Sequence, residues 1–85
     1  MPTISEFFGI AIRIMYLDHN PPHFHAYYGE QKVIIEIESG IVKGYMSARA
    51  LRLIFEWMEL HRKELKEAWN KAKNGERPSK IEPLQ

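Results

Sequence analysis

Apolar side chains recur at every second position as far as Met46 and at every third or fourth position from Ala48 onward, so the chain has to fold as a sheet followed by a helix. Ile10, Ile12, Ile14 and Tyr16 share one parity while Arg13 takes the other, which reads as a strand over 10–17. A shorter run at 3–8, closed by Gly9, reads as an edge strand. Asp18 to Pro22 then breaks the pattern, since proline removes a ladder donor and pushes its predecessor towards extended backbone. Alternation resumes at His23–Tyr28, with Phe24, Ala26 and Tyr28 on one side and His23, His25 and Tyr27 on the other. Val33, Ile35 and Ile37 alternate with Glu36 and Glu38 and predict a strand over 33–38. Ser39-Gly40 reads as a tight hairpin into a strand at 41–46.

Ser47 is a natural N-cap, and Leu51, Ile54, Phe55, Met58, Leu65, Trp69 and Ala72 then follow helical spacing up to the stop at Asn74-Gly75. About 26 helical residues would span ~39 Å, long for a small domain, so a break near His61 is expected. The fold class is α+β: an antiparallel sheet of four or five strands within 3–46, the helical segment 48–74 packed on one face, and an extended tail at 76–85. All 85 residues form a single domain.

Placing every apolar set on one face fixes the parity of strand pairing. The register expected is Tyr28 opposite Val33, which puts His25 opposite Glu36 and His23 opposite Glu38. Glu38 opposite Ile41 brings Glu36 near Lys43, and Tyr16 opposite Phe24 sets Met15 beside His25 and Arg13 beside Tyr27. A slip of two residues would exchange these partners and leave them on the same outer face.

That face concentrates the chemistry-bearing residues. His23 and His25, two apart on a strand, point the same way, and Asp18 and His19 enter from the rigid connection. Asp18, His19, His23 and His25 form a candidate set for a divalent metal such as zinc, manganese or ferrous iron. The same histidines suit metal-free acid/base catalysis, with Glu36 and Glu38 as orienting carboxylates and Arg13, Tyr27 and Lys43 as substrate contacts; that constellation fits ribonuclease-type cleavage through a 2′-hydroxyl. Cross-strand His–Glu–Lys pairs also occur without function, each stabilising a sheet by ~0.2–1 kcal/mol. Leu53, Trp57 and Leu60 widen the apolar arc of the helix, which either a partner, including a second copy in a homodimer, or the tail could cover.

Composition excludes several classes. With no cysteine there is no disulfide framework and no thiolate zinc site. The formal net charge of +1 is too small for a general nucleic-acid binder recognised by its field, although residues 61–85 are basic. A basic start with a long apolar run is missing, and no ~18-residue apolar stretch occurs, so the chain reads as soluble and cytoplasmic, with no membrane partner.

The run Asp18-His19-Asn20-Pro21-Pro22-His23-Phe24-His25-Ala26-Tyr27-Tyr28-Gly29-Glu30, followed by Trp57, His61, Arg62, Glu64, Leu65 and Trp69, resembles the small prokaryotic domain-of-unknown-function family forty-one-sixty. The likeness spans nearly the whole chain. It implies a toxin-like component of a two-gene module, encoded beside a second small protein that would be its partner, and an activity directed at RNA. The resemblance assigns no catalytic residue. A non-catalytic protein-interaction module is the alternative.

Overall fold

The computed structural model describes residues 2–85. Among the described residues five strands, β1 (Thr3–Phe7), β2 (Ile10–Arg13), β3 (His23–Tyr28), β4 (Gln31–Glu36) and β5 (Val42–Tyr45), precede one helix, α1 (Ala48–Lys73). The strands form a single antiparallel meander in the order β1-β2-β3-β4-β5. The expected α+β class, with its C-terminal helix, is what the chain adopts.

The core lies between the inner sheet face and α1. Ile10, Ile12, Phe24, Ala26, Val33 and Ile35 meet Ile54, Trp57, Met58 and Leu65, all essentially inaccessible to solvent. Trp57 anchors it, its ring centroid 5.3 Å from Phe7 and 6.0 Å, edge-on, from Phe24. Burying a large apolar side chain contributes roughly 1.5–3 kcal/mol, so this layer dominates the stability of a small domain.

Ser47 caps α1, its side chain accepting from the Ala50 amide at 3.2 Å. The helix bends at His61, where φ −126° and ψ 23° leave the helical region. Beyond the bend Arg62 donates to the Ile37 carbonyl and pairs with Glu59, and Lys66 pairs with Glu38. The bonds to the Ile37 carbonyl and to Glu38 tie the second half of α1 to the loop after β4. The tail runs back along β1: the Ile81 amide donates to Ile4 O at 2.8 Å, and Trp57 Nε1 donates to Glu82 O at 2.8 Å. It thereby covers the edge of β1 and Trp57.

Each of the three central strand pairings is shifted by two residues from the expected register. Tyr28 faces Gln31, so His23 lies opposite Glu36 and His25 opposite Ile34, and Arg13 lies opposite His25. The turn decides this. Gly29, at φ +58°, takes the first place of a two-residue Gly29-Glu30 loop, the position at which a type II′ turn needs glycine. The expected strand at 33–38 is instead 31–36, and in place of a two-residue Ser39-Gly40 hairpin the connection to β5 takes five residues, 37–41. Ile37 lies just past the end of β4, its side chain buried in the core like those of Val33 and Ile35 and its amide donating to Pro22 O at 3.0 Å, in line with the β3–β4 pairing. The strand expected over 10–17 ends at Arg13, since the chain beyond it turns towards the far end of α1, where the Leu17 amide donates to Ala72 O at 2.9 Å. A two-residue slip preserves parity, so Arg13, His23, His25, Tyr27, Glu36, Lys43 and Tyr45 still share the outer face. Among the described residues no helix is long and apolar enough to cross a membrane.

Candidate metal centre

The loop 14–22 folds over the end of the outer sheet face and brings a carboxylate onto two strand histidines. Asp18 Oδ1 accepts from the His19 amide at 2.8 Å, which orients the carboxylate so that Oδ2 lies 2.8 Å from His23 Nε2 and 3.8 Å from His25 Nε2. On the other side of the ring, His23 Nδ1 is 2.8 Å from the Pro21 carbonyl oxygen. The Asn20–Pro21 peptide is cis. His23 and His25 are both buried, with rings 5.3 Å apart, and Trp69 closes the other flank of His23 at 5.0 Å.

One donor atom each from Asp18, His23 and His25 falls within a mutual 4.8 Å. An ion about 2.1 Å from each donor would require donors roughly 3.0–3.4 Å apart, so small side-chain adjustments bring the three onto one ion. The hydrogen-bond inventory agrees. Both His23 nitrogens face oxygens that only accept, so a neutral ring satisfies one of them; with Nδ1–H donating to Pro21 O, the Nε2 lone pair is left directed at the Asp18 carboxylate. A backbone carbonyl on the remote nitrogen is the usual way a metal-binding imidazole is oriented. Among the described residues neither His25 nitrogen has a hydrogen-bond partner, although both are buried.

The electrostatics of the group also suit cation binding. Burial, reinforced by the neighbouring His23, lowers the pKa of His25 against the opposing pull of Asp18, which favours the neutral, coordinating imidazole. Burial raises the pKa of Asp18, but the His19 amide and the His23 and His19 rings outweigh it, and the carboxyl stays below its ordinary range. Above the three donors opens a cleft of about 290 Å³, walled by Met15, Pro21 and Ile34 and bordered by His19, Glu36 and Lys43.

The other residues singled out in the sequence are more dispersed. His19 lines the cleft with its side chain 91% exposed, outside the converging group. Glu36 reaches the cleft and accepts from Ser39 Oγ at 2.7 Å. Glu38 pairs with Lys66, which lowers its pKa, and does not border the cleft. Arg13 donates to Thr3 Oγ1 at 3.1 Å and lies over the Tyr27 ring, 5.0 Å from its centroid. Of the three apolar helix residues, Trp57 is fully buried, Leu53 is partly buried against the core and Leu60 is exposed. The carboxylate in contact with the histidines is therefore Asp18 from the loop; Glu36, opposite His23 in the sheet, accepts instead from Ser39, and Glu38 pairs with Lys66. The contributions of Trp69 and the Pro21 carbonyl had no sequence signal beyond the adjacent prolines, since helical spacing marks Trp69 only as core.

The model of a family described as a domain of unknown function (DUF4160) matches residues 9–70, most of the chain. Comparison with curated proteins gives no match, and neither does comparison with solved structures. The chain belongs to the matched family, as the resemblance carried by residues 18–30 implies.

Proposed function

We propose that this chain, a member of the DUF4160 family, is a metal-dependent hydrolytic protein holding one divalent transition ion on Asp18, His23 and His25. The observation that carries this reading is the buried His25, whose Nε2 lies 3.8 Å from Asp18 Oδ2 and whose ring nitrogens have no hydrogen-bond partner among the described residues. Two imidazoles and one carboxylate make a three-donor set that leaves coordination positions open towards the cleft. An ion bound there would supply Lewis-acid polarisation of a substrate oxygen and a more acidic bound water. Glu36 and Lys43 both line the cleft, the one a carboxylate that would serve as general base and the other a cation for an anionic substrate group.

Isothermal titration of metal-free protein with Zn²⁺ and with Mn²⁺ tests this reading. One ion per chain in the wild type, lost in His23→Ala and in His25→Ala, is expected; no stoichiometric binding of either ion overturns it.

A second reading has a specific observation behind it: the 2.8 Å contact between His23 Nε2 and Asp18 Oδ2 is also a metal-free acid/base pair suited to ribonuclease-type chemistry. Activity that survives exhaustive chelation would select that reading. Either chemistry would serve a toxin-like component of a two-gene module. Induction of the wild type against a His23→Ala/His25→Ala double variant, with and without the neighbouring protein, tests that role by growth.

A further inference from the structure

The outer sheet face above the candidate metal centre is ordered in rows. Cross-strand partners share a face, so the pairings place Tyr27, Lys32 and Tyr45 in one row across β3, β4 and β5. The next row down runs Arg13, His25, Ile34 and Lys43. Below it His23 faces Glu36. At ~4.8 Å between strands, Lys43 lies about 10 Å from His25 in backbone position, close enough for its long side chain to border the cleft.

Three features of this face call for a ligand. Tyr45 is 72% exposed, a flat aromatic side chain left in water. Lys32 is exposed, Lys43 borders the cleft, and neither makes an ion pair among the described residues. On β4 and β5 Lys32 and Lys43 outnumber the carboxylate of Glu36, while Glu6 extends the first row on β1 and Asp18 lies in the cleft, so the cations that would meet a polyanion are local to the β4–β5 side. A protein partner fits poorly, since lysine is depleted at protein interfaces and here Lys32 lies between Tyr27 and Tyr45 with Lys43 in the next row. A duplex fits poorly too, because its bases are already stacked on one another, whereas a single strand offers unstacked bases to exposed aromatic side chains and phosphates to neighbouring cations.

We propose that the outer face of β3–β5 is a track for single-stranded nucleic acid, with Tyr45 as a base-stacking platform and Lys32 and Lys43 as phosphate contacts that lead the strand into the Asp18–His23–His25 cleft. The assignment names the substrate class of the hydrolytic site and rests on that reading for its direction, but strand binding is measurable without the metal.

Fluorescence anisotropy with a short labelled single-stranded RNA, the DNA strand of the same sequence and the matching duplex, all with excess chelator, tests it. The wild type binds a single strand of either sugar more tightly than the duplex. Tyr45→Ala weakens that binding on the order of tenfold, the loss of one stacked base. Lys32→Ala/Lys43→Ala flattens the dependence of log affinity on log salt by roughly 1.4, at about 0.7 per phosphate contact on a single strand. Because strand binding is read with the ion chelated and ion binding is read without a strand, the failure of this proposal and the failure of the one before it are distinguishable. No binding by the wild type at low salt, preference for the duplex, or unchanged affinity in folded Tyr45→Ala and Lys32→Ala/Lys43→Ala proteins overturns the track.

Discussion

The Asp18 carboxylate lies 2.8 Å from Nε2 of His23, reaching it across a connection that includes two consecutive prolines. Asp18 belongs to the donor group and is held in place by the His19 amide, so its contribution is not merely electrostatic. Asp18→Asn should weaken Zn²⁺ binding by more than the ~10- to 100-fold that follows loss of an outer partner of a metal ligand. Competition titration against a chromophoric chelator measures this. A loss of only a few-fold would place Asp18 outside the coordination sphere.

His25 makes stability depend on pH in a definite direction. Burial and the nearby His23 lower its pKa in the folded state, so as pH falls below the unfolded value of about 6.5 the unfolded chain takes up a proton before the folded one does. The unfolded state then binds more protons, and stability rises with pH across that window, being lost as pH falls from about 6.5 towards the folded value. Urea denaturation of metal-free protein across this range should show the slope in the wild type and a smaller one in His25→Gln. An identical slope in both would mean that His25 does not change its protonation on folding.

How far the sequence reveals this arrangement depends on the kind of information. Period-two alternation identifies the faces of β2, β3 and β4, because one side of each strand must be buried. Register is less legible, since a two-residue slip leaves every side chain on its face; it is pinned here by the Gly29-Glu30 turn and, at the other end, by the Ile37 amide donating to Pro22 O. Gly29 at the head of a two-residue loop was a readable signal for the first of these. The path of residues 14–22 was not readable locally, because the contact that directs it, Leu17 to Ala72 O, joins distant parts of the chain. For the same reason the sequence grouped Asp18 with His23 and His25 but did not separate it from Glu36 and Glu38 as their carboxylate neighbour.

The tail is part of the core rather than an appendage. Ile81 is 5% exposed, and its backbone bonds β1 while the neighbouring Glu82 carbonyl accepts from Trp57. Ile81→Ala should destabilise the fold by about 2–5 kcal/mol, the range for truncating a buried aliphatic side chain. Chemical denaturation followed by tryptophan fluorescence gives the value. A change below ~1 kcal/mol would show the tail to be detachable, and Trp57 with it available to a partner.

The central claim is that Asp18, His23 and His25 converge on one metal ion, and ring-nitrogen spectroscopy of ¹⁵N-histidine-labelled protein during Zn²⁺ titration tests it most directly. Nε2 of His23 and of His25 should move to metal-bound shifts at one equivalent, with Nδ1 of His23 remaining protonated towards the Pro21 carbonyl and the His61 ring, which bonds Glu64, unchanged. Spectra in which His23 and His25 do not respond to the ion would contradict it.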